Sequence, residues 1–66
     1  MSIGINIKRA REAMGLSQYA LANKVNVSQE MICQVERGRK SPSVALLADI
    51  AAVFGCTMDD LVKVES

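Results

Sequence analysis

Helix-stopping residues recur so closely along this sequence that it can fold only into short helical pieces. The stops are Gly15, Asn26, Gly38, the single proline at 42 and Gly55. Between these stops the apolar residues repeat at helical spacing, and nothing alternates with the two-residue period of a strand for more than a few residues. Ile3, Ile7, Ala10 and Met14 form one stripe, which predicts a first helix over about residues 5–14, ended by Gly15. Ser17 is placed to cap a second helix, about 18–25, whose Leu21, Ala22 and Val25 share a face. Ser28 caps a third, which runs to Arg37 and stops at Gly38. Residues 38–42 then form a loop, because Pro42 pushes Ser41 away from helical geometry. Ser43 caps the fourth helix, where Leu47, Ile50, Ala51 and Phe54 fall at i, i+3, i+4 and i+7 before Gly55. Thr57 begins a fifth, with Asp59 and Asp60 favourably placed in its first turn and Leu61 as its buried anchor. The expectation is a single all-α domain of five short helices spanning residues 1–66.

A chain of 66 residues can bury one modest core but cannot build a catalytic domain around a deep enclosed pocket. Half of the residues are apolar, yet only Tyr19 and Phe54 are aromatic, so the core must be made of Ile, Leu, Val, Met and Ala. No apolar run approaches the ~18 residues that span a bilayer, so no membrane association is expected. Lys8 and Arg9 follow the short apolar stretch near the N-terminus rather than precede it, the wrong order for a secretory signal, which points to a cytoplasmic location. Cys33 and Cys56 are far apart and histidine is absent, so a zinc site lacks ligands; both read as free thiols acting as small hydrophobes. With no histidine, metal cluster, phosphate-binding glycine loop or paired acids in a cleft, an enzyme, a cofactor and a small-molecule substrate are not expected; Asp59 and Asp60 read better as a helix start.

The net charge of +1 conceals a division. Residues 1–40 hold seven basic against three acidic side chains, whereas residues 41–66 hold one basic against four acidic. Such asymmetry suits a molecule that turns one face to phosphate. Residues 18–37 sharpen this: two helices of about two turns each are joined by a tight turn, the geometry of a DNA-binding helix-turn-helix. Ala22 supplies the small side chain the helix crossing needs, and Asn26 is the best non-glycine choice for positive φ in the turn. Leu21, Val25, Val27, Ile32 and Val35 are apolar where side chains must point inward to hold both helices on a third.

The segment QYALANKVNVSQEMICQVERG, followed by RKSPSVALLADIAAVFGCTMDDL, resembles the phage repressor and Cro (Xre-type) family of helix-turn-helix domains. The marks are Ser17-Gln18, Leu21-Ala22, Ile32, Glu36-x-Gly38, Pro42-Ser43, Leu47 with Ile50-Ala51, and Met58-x-x-Leu61, and they cover nearly the whole chain. The sequence departs at Asn26, where such domains usually carry glycine. The resemblance implies a lambda-repressor-like fold of five helices, with the third lying in the major groove of an operator and working as a transcriptional regulator, most simply a repressor.

Carried over by position, the resemblance implies Gln29, Glu30 and Gln34 as base readers. Glutamine can bond adenine bidentately, and glutamate can accept from the cytosine amino group or serve to repel wrong sequences. Met31 and Cys33 flank that face, to touch a thymine methyl or to pack against the second helix. Gln18, at the start of the second helix, matches a phosphate-contacting residue. Arg37, Arg39 and Lys40 cluster after the third helix as electrostatic contacts to the backbone, with Lys8 and Arg9 as lesser candidates. Arg11 and Glu36 match an ion pair that ties the first helix to the end of the third. The family also points to a homodimer through the fifth helix and chain end, where Met58, Leu61, Val62 and Val64 supply apolar surface. Two readings compete with the regulator: a protein-interaction module on the same helical frame, and the antitoxin of a toxin-antitoxin pair.

Overall fold

In a computed structural model the described residues, 3–62, form five helices and no strand: α1 (Ile3–Ala13), α2 (Gln18–Lys24), α3 (Gln29–Glu36), α4 (Val44–Phe54) and α5 (Met58–Val62). The expected all-α, five-helix order is what is found, and one rule sets nearly every helix start. The Oγ atoms of Ser17, Ser28 and Ser43 accept from the N–H groups of Ala20, Met31 and Leu46 at 3.0–3.1 Å, so each helix begins with one of its orphan donors satisfied. At α5 the arrangement is reciprocal: Thr57 Oγ1 accepts from the Asp60 N–H at 3.2 Å, and Asp60 Oδ2 accepts from the Thr57 N–H at 3.1 Å.

Helix ends are equally uniform. After α1, α2, α3 and α4 comes a residue with positive φ, and the residue beyond it donates its N–H five positions back: Leu16 to Arg11, Val27 to Ala22, Arg39 to Gln34 and Cys56 to Ala51, all at 2.9–3.1 Å. Three of the four positive-φ positions are glycine. The fourth is Asn26, at φ 60°, where a side chain that tolerates the left-handed region closes the corner between α2 and α3.

Helix α1 differs from its sequence reading at both ends. It begins at Ile3 rather than near residue 5, and Met14 lies beyond it, 50% exposed, instead of continuing the apolar stripe. The reason is Gly4. Its position is buried, and a Cβ there would stand 2.7 Å from the Glu36 carbonyl oxygen and closer still to that of Val35. Helix α1 therefore crosses the end of α3 main chain against main chain, a contact open only to glycine.

Ile7, Leu21, Ala22, Val25, Ile32, Val35, Leu46, Leu47, Ile50, Ala51 and Leu61 make the core, with Val27, Met31, Phe54 and Cys56 packed at its edge. Leu61 is 3% exposed, so it holds α5 to the body and offers no surface to a second subunit, contrary to its place among the expected dimer residues. The Asn6 side chain donates to the Leu61 carbonyl at 2.7 Å and fixes α5 to α1 from the polar side. Both cysteines are half-buried free thiols; burial, with the Asp60 carboxylate adding to it, pushes the Cys56 thiol up and keeps it protonated. Among the described residues no helix is long and apolar enough to cross a membrane.

Candidate nucleic-acid interface

Helix α3 is divided lengthwise by its own sequence. Ile32, Val35 and Glu36 face inward and are buried, while Gln29 and Glu30 are fully on the outside and Met31, Cys33 and Gln34 are half-buried along the border. Ser28 and the Asn26 corner set this rotation: the cap fixes where the first turn starts, and the positive φ turns the chain so that α3 packs on α2 and α1. Of the five expected base readers, Gln29, Glu30 and Gln34 thus share one outer face. Met31 packs against the core edge, the second of the two places expected for it.

Behind that face lies a buried polar hub. The Arg11 guanidinium donates from Nε to Glu36 Oε2 at 2.7 Å, from Nη2 to Glu36 Oε1 at 3.1 Å and from Nη1 to the Leu16 carbonyl at 2.8 Å. Glu36 Oε1 also accepts from the Gln18 amide at 3.0 Å. Arg11 and Glu36 are 8% and 7% exposed, so their charges are compensated almost entirely by one another. The hydrogen bond to Glu36 outweighs desolvation and pushes the Arg11 pKa up, keeping the guanidinium charged. One carboxylate therefore joins α1, the start of α2 and the end of α3. The bond from Gln18 was not foreseen from the sequence. Eighteen residues separate the partners, and only the tertiary path brings them together. It engages one of the two N–H groups of the Gln18 amide, at the start of α2.

The cations divide in a similar way. Arg11 is withdrawn into the hub, whereas Arg37, Arg39 and Lys40 are exposed beyond the end of α3. The loop returns along the helix, with the Arg39 and Lys40 N–H groups donating to the Gln34 carbonyl at 2.9 and 3.3 Å. This places Lys40 in a shallow concavity with Ser28, Glu30, Met31 and Gln34. Lys8 and Arg9 are exposed on α1 and do not line it. Asp49, Asp59 and Asp60, the acidic residues of the C-terminal part among those described, are exposed on α4 and α5.

These elements match a helix-turn-helix family model over residues 7–61, most of the chain and the whole of the two-helix corner. The chain belongs to the helix-turn-helix family. It is 33% identical over all 66 residues to an immunity repressor protein of Bacillus phage phi105, of which it spans less than half, 46%. Over 55 residues, 83% of this chain and 79% of the relative, it is 40% identical to an HTH-type transcriptional regulator of Archaeoglobus fulgidus. Among solved structures it is similar to the P22 c2 repressor in complex with a synthetic operator, with a TM-score of 0.90, 30% identity and 96% of each chain covered. The helix-turn-helix domain has no group of three or more Cys, Asp or Glu among its described residues that could hold a metal ion.

Of the expected dimer residues, Met58 and Val62 are 38% and 41% exposed on α5. Val64 lies outside the described residues.

Proposed function

We propose that this helix-turn-helix domain is a sequence-specific, double-stranded DNA-binding transcriptional regulator that inserts α3 into the major groove of an operator half-site. The observation that carries this is the outer face of α3: Gln29, Glu30 and Gln34 stand together on a helix whose other side is locked into the core. Glutamine and glutamate at those positions have the donors and acceptors that distinguish base edges. Arg37, Arg39 and Lys40 beyond the helix, with Gln18 at the start of α2, are positioned for phosphates on either side, and Lys8 and Arg9 add weaker long-range attraction. The similarity to the P22 c2 repressor, whose structure includes an operator, supports the same docking.

One domain of this size covers too little DNA to single out an operator among a genome's competing sites. A homodimer resolves this by placing two α3 helices about 34 Å apart on a near-palindromic site. Met58 and Val62 are the apolar side chains that α5 keeps outside the core for such a contact. Repression then follows from occupying promoter sequence, in keeping with the phage immunity repressor it resembles.

The deciding experiment selects duplexes from a random pool and measures affinity for the selected duplex across a salt series. A single preferred half-site is expected, with log Kd rising with log salt at about 0.9 per phosphate contacted. Gln29→Ala should lose about 1 to 3 kcal/mol on that duplex and relax one base position, whereas Arg39→Ala should weaken all sequences alike and flatten the slope. Binding that ignores both sequence and salt would instead identify a protein-interaction module.

A further inference from the structure

On the outer face of α3, Gln34 lies one helical turn beyond Glu30, and its amide nitrogen donates to Glu30 Oε2 at 3.2 Å. An ionised carboxylate only accepts hydrogen bonds, so the part of Gln34 turned toward it must be the NH2 group, and the amide oxygen is turned away. A glutamine on a bare helix face has no such constraint and can present either end of its amide. Here the choice is made before any ligand arrives, in a concavity that Lys40 shares with both side chains.

We infer that Glu30 is a positioning residue for Gln34, and that the pair makes one operator position selective for adenine over guanine. This rests on the base-reading role proposed for α3. In the major groove adenine offers an acceptor, N7, beside a donor, the N6 amino group, whereas guanine offers two acceptors, N7 and O6. With one N–H held by Glu30, Gln34 has one N–H and its oxygen left, the complement of adenine. Guanine needs two donors. It would meet one donor and an amide oxygen, with the Glu30 carboxylate adding further lone pairs. The held amide has also surrendered part of its rotamer freedom before binding, so less is lost when it docks.

The test uses the full chain and the duplex it selects from a random pool, with Kd measured for that duplex and for each single-base replacement. Gln34→Ala should abolish the preference at one base pair. Glu30→Ala should reduce the adenine-over-guanine preference at that same pair about tenfold, and should have no further effect at that pair when Gln34 is already alanine. Glu30→Gln, whose amide oxygen can still accept from Gln34, should retain most of the preference although the charge is gone. A purely electrostatic Glu30 gives a different result: both Glu30 variants would bind every duplex more tightly and leave preferences intact. That outcome, or a preferred base other than adenine at the Gln34 position, overturns the inference while leaving base reading by α3 in place. If Gln34→Ala changes preference at no base pair while Gln29→Ala does, the pair has no role in reading. If the wild-type chain selects no duplex over another, the proposed function itself fails and the inference with it.

Discussion

Two hydrogen bonds from a glutamine amide to a glutamate carboxylate stand at opposite ends of α3, at nearly the same length. Gln18 to Glu36 measures 3.0 Å and Gln34 to Glu30 measures 3.2 Å. The first reaches a carboxylate that is buried and already paired with Arg11; the second lies in water. In a buried site an unpaired charge has no solvent to replace a lost partner, so the hub at Glu36 fixes where α3 sits. On the surface water substitutes readily, and a side-chain pair one helical turn apart contributes only about 0.2 to 0.5 kcal/mol. Such a pair adds little to folding, yet it still decides which end of the Gln34 amide faces outward. Identical chemistry thus holds the helix in place at one end and stands open to solvent at the other, and burial decides which.

The sharpest way to break this comparison is Glu36→Ala, which strands a buried guanidinium and should cost about 3 to 5 kcal/mol in urea unfolding. A domain of this size has a stability of only about 0.05 to 0.15 kcal/mol per residue, so much of the population should then be unfolded. Replacing both partners together, Arg11→Met with Glu36→Leu, should be far milder; equal losses would mean that the pair is not acting as a unit. Gly4→Ala comes next. Its methyl group meets carbonyl oxygens that cannot rotate aside, so α1 must shift and the loss should be about 1 to 3 kcal/mol, with Arg11 and Glu36 drawn apart. Ser28→Ala removes the cap that starts α3 and should cost about 1 kcal/mol without touching either glutamine–glutamate pair. Gln34→Ala should change thermal stability by less than about 0.5 kcal/mol, and a larger loss would erase the contrast between the two ends.

Much of the architecture was legible because it is governed by local rules. Ser17, Ser28 and Ser43 before apolar runs, and Gly15, Gly38 and Gly55 after them, set helix boundaries from within a few residues. Even Asn26 could be placed, since few side chains accept a positive φ. What could not be read depends on where distant segments meet. Gly4 inside α1 has the composition of a helix breaker until α3 is seen pressing against it, which is why α1 starts earlier than its pattern predicts. Leu61 fits both a core and an interface by its hydrophobicity, and only its burial distinguishes them. The position of Gln18 suggests a phosphate contact, and its bond to Glu36 depends on how α2 packs against α3. The Glu30–Gln34 pair, by contrast, was available in principle: a glutamate four residues before a glutamine on an exposed helix face is itself the signal.

The crossing at Gly4 has a further consequence. Two main chains in direct contact form a hard stop, and the spacing between α1 and α3 cannot be tuned by enlarging or trimming side chains there. Residues on the far side of α3 can be exchanged without disturbing that reference plane. A set of variants with new side chains at positions 29, 30 and 34 would all present them from the same height and angle, which makes this small domain a fixed mount for interchangeable side chains.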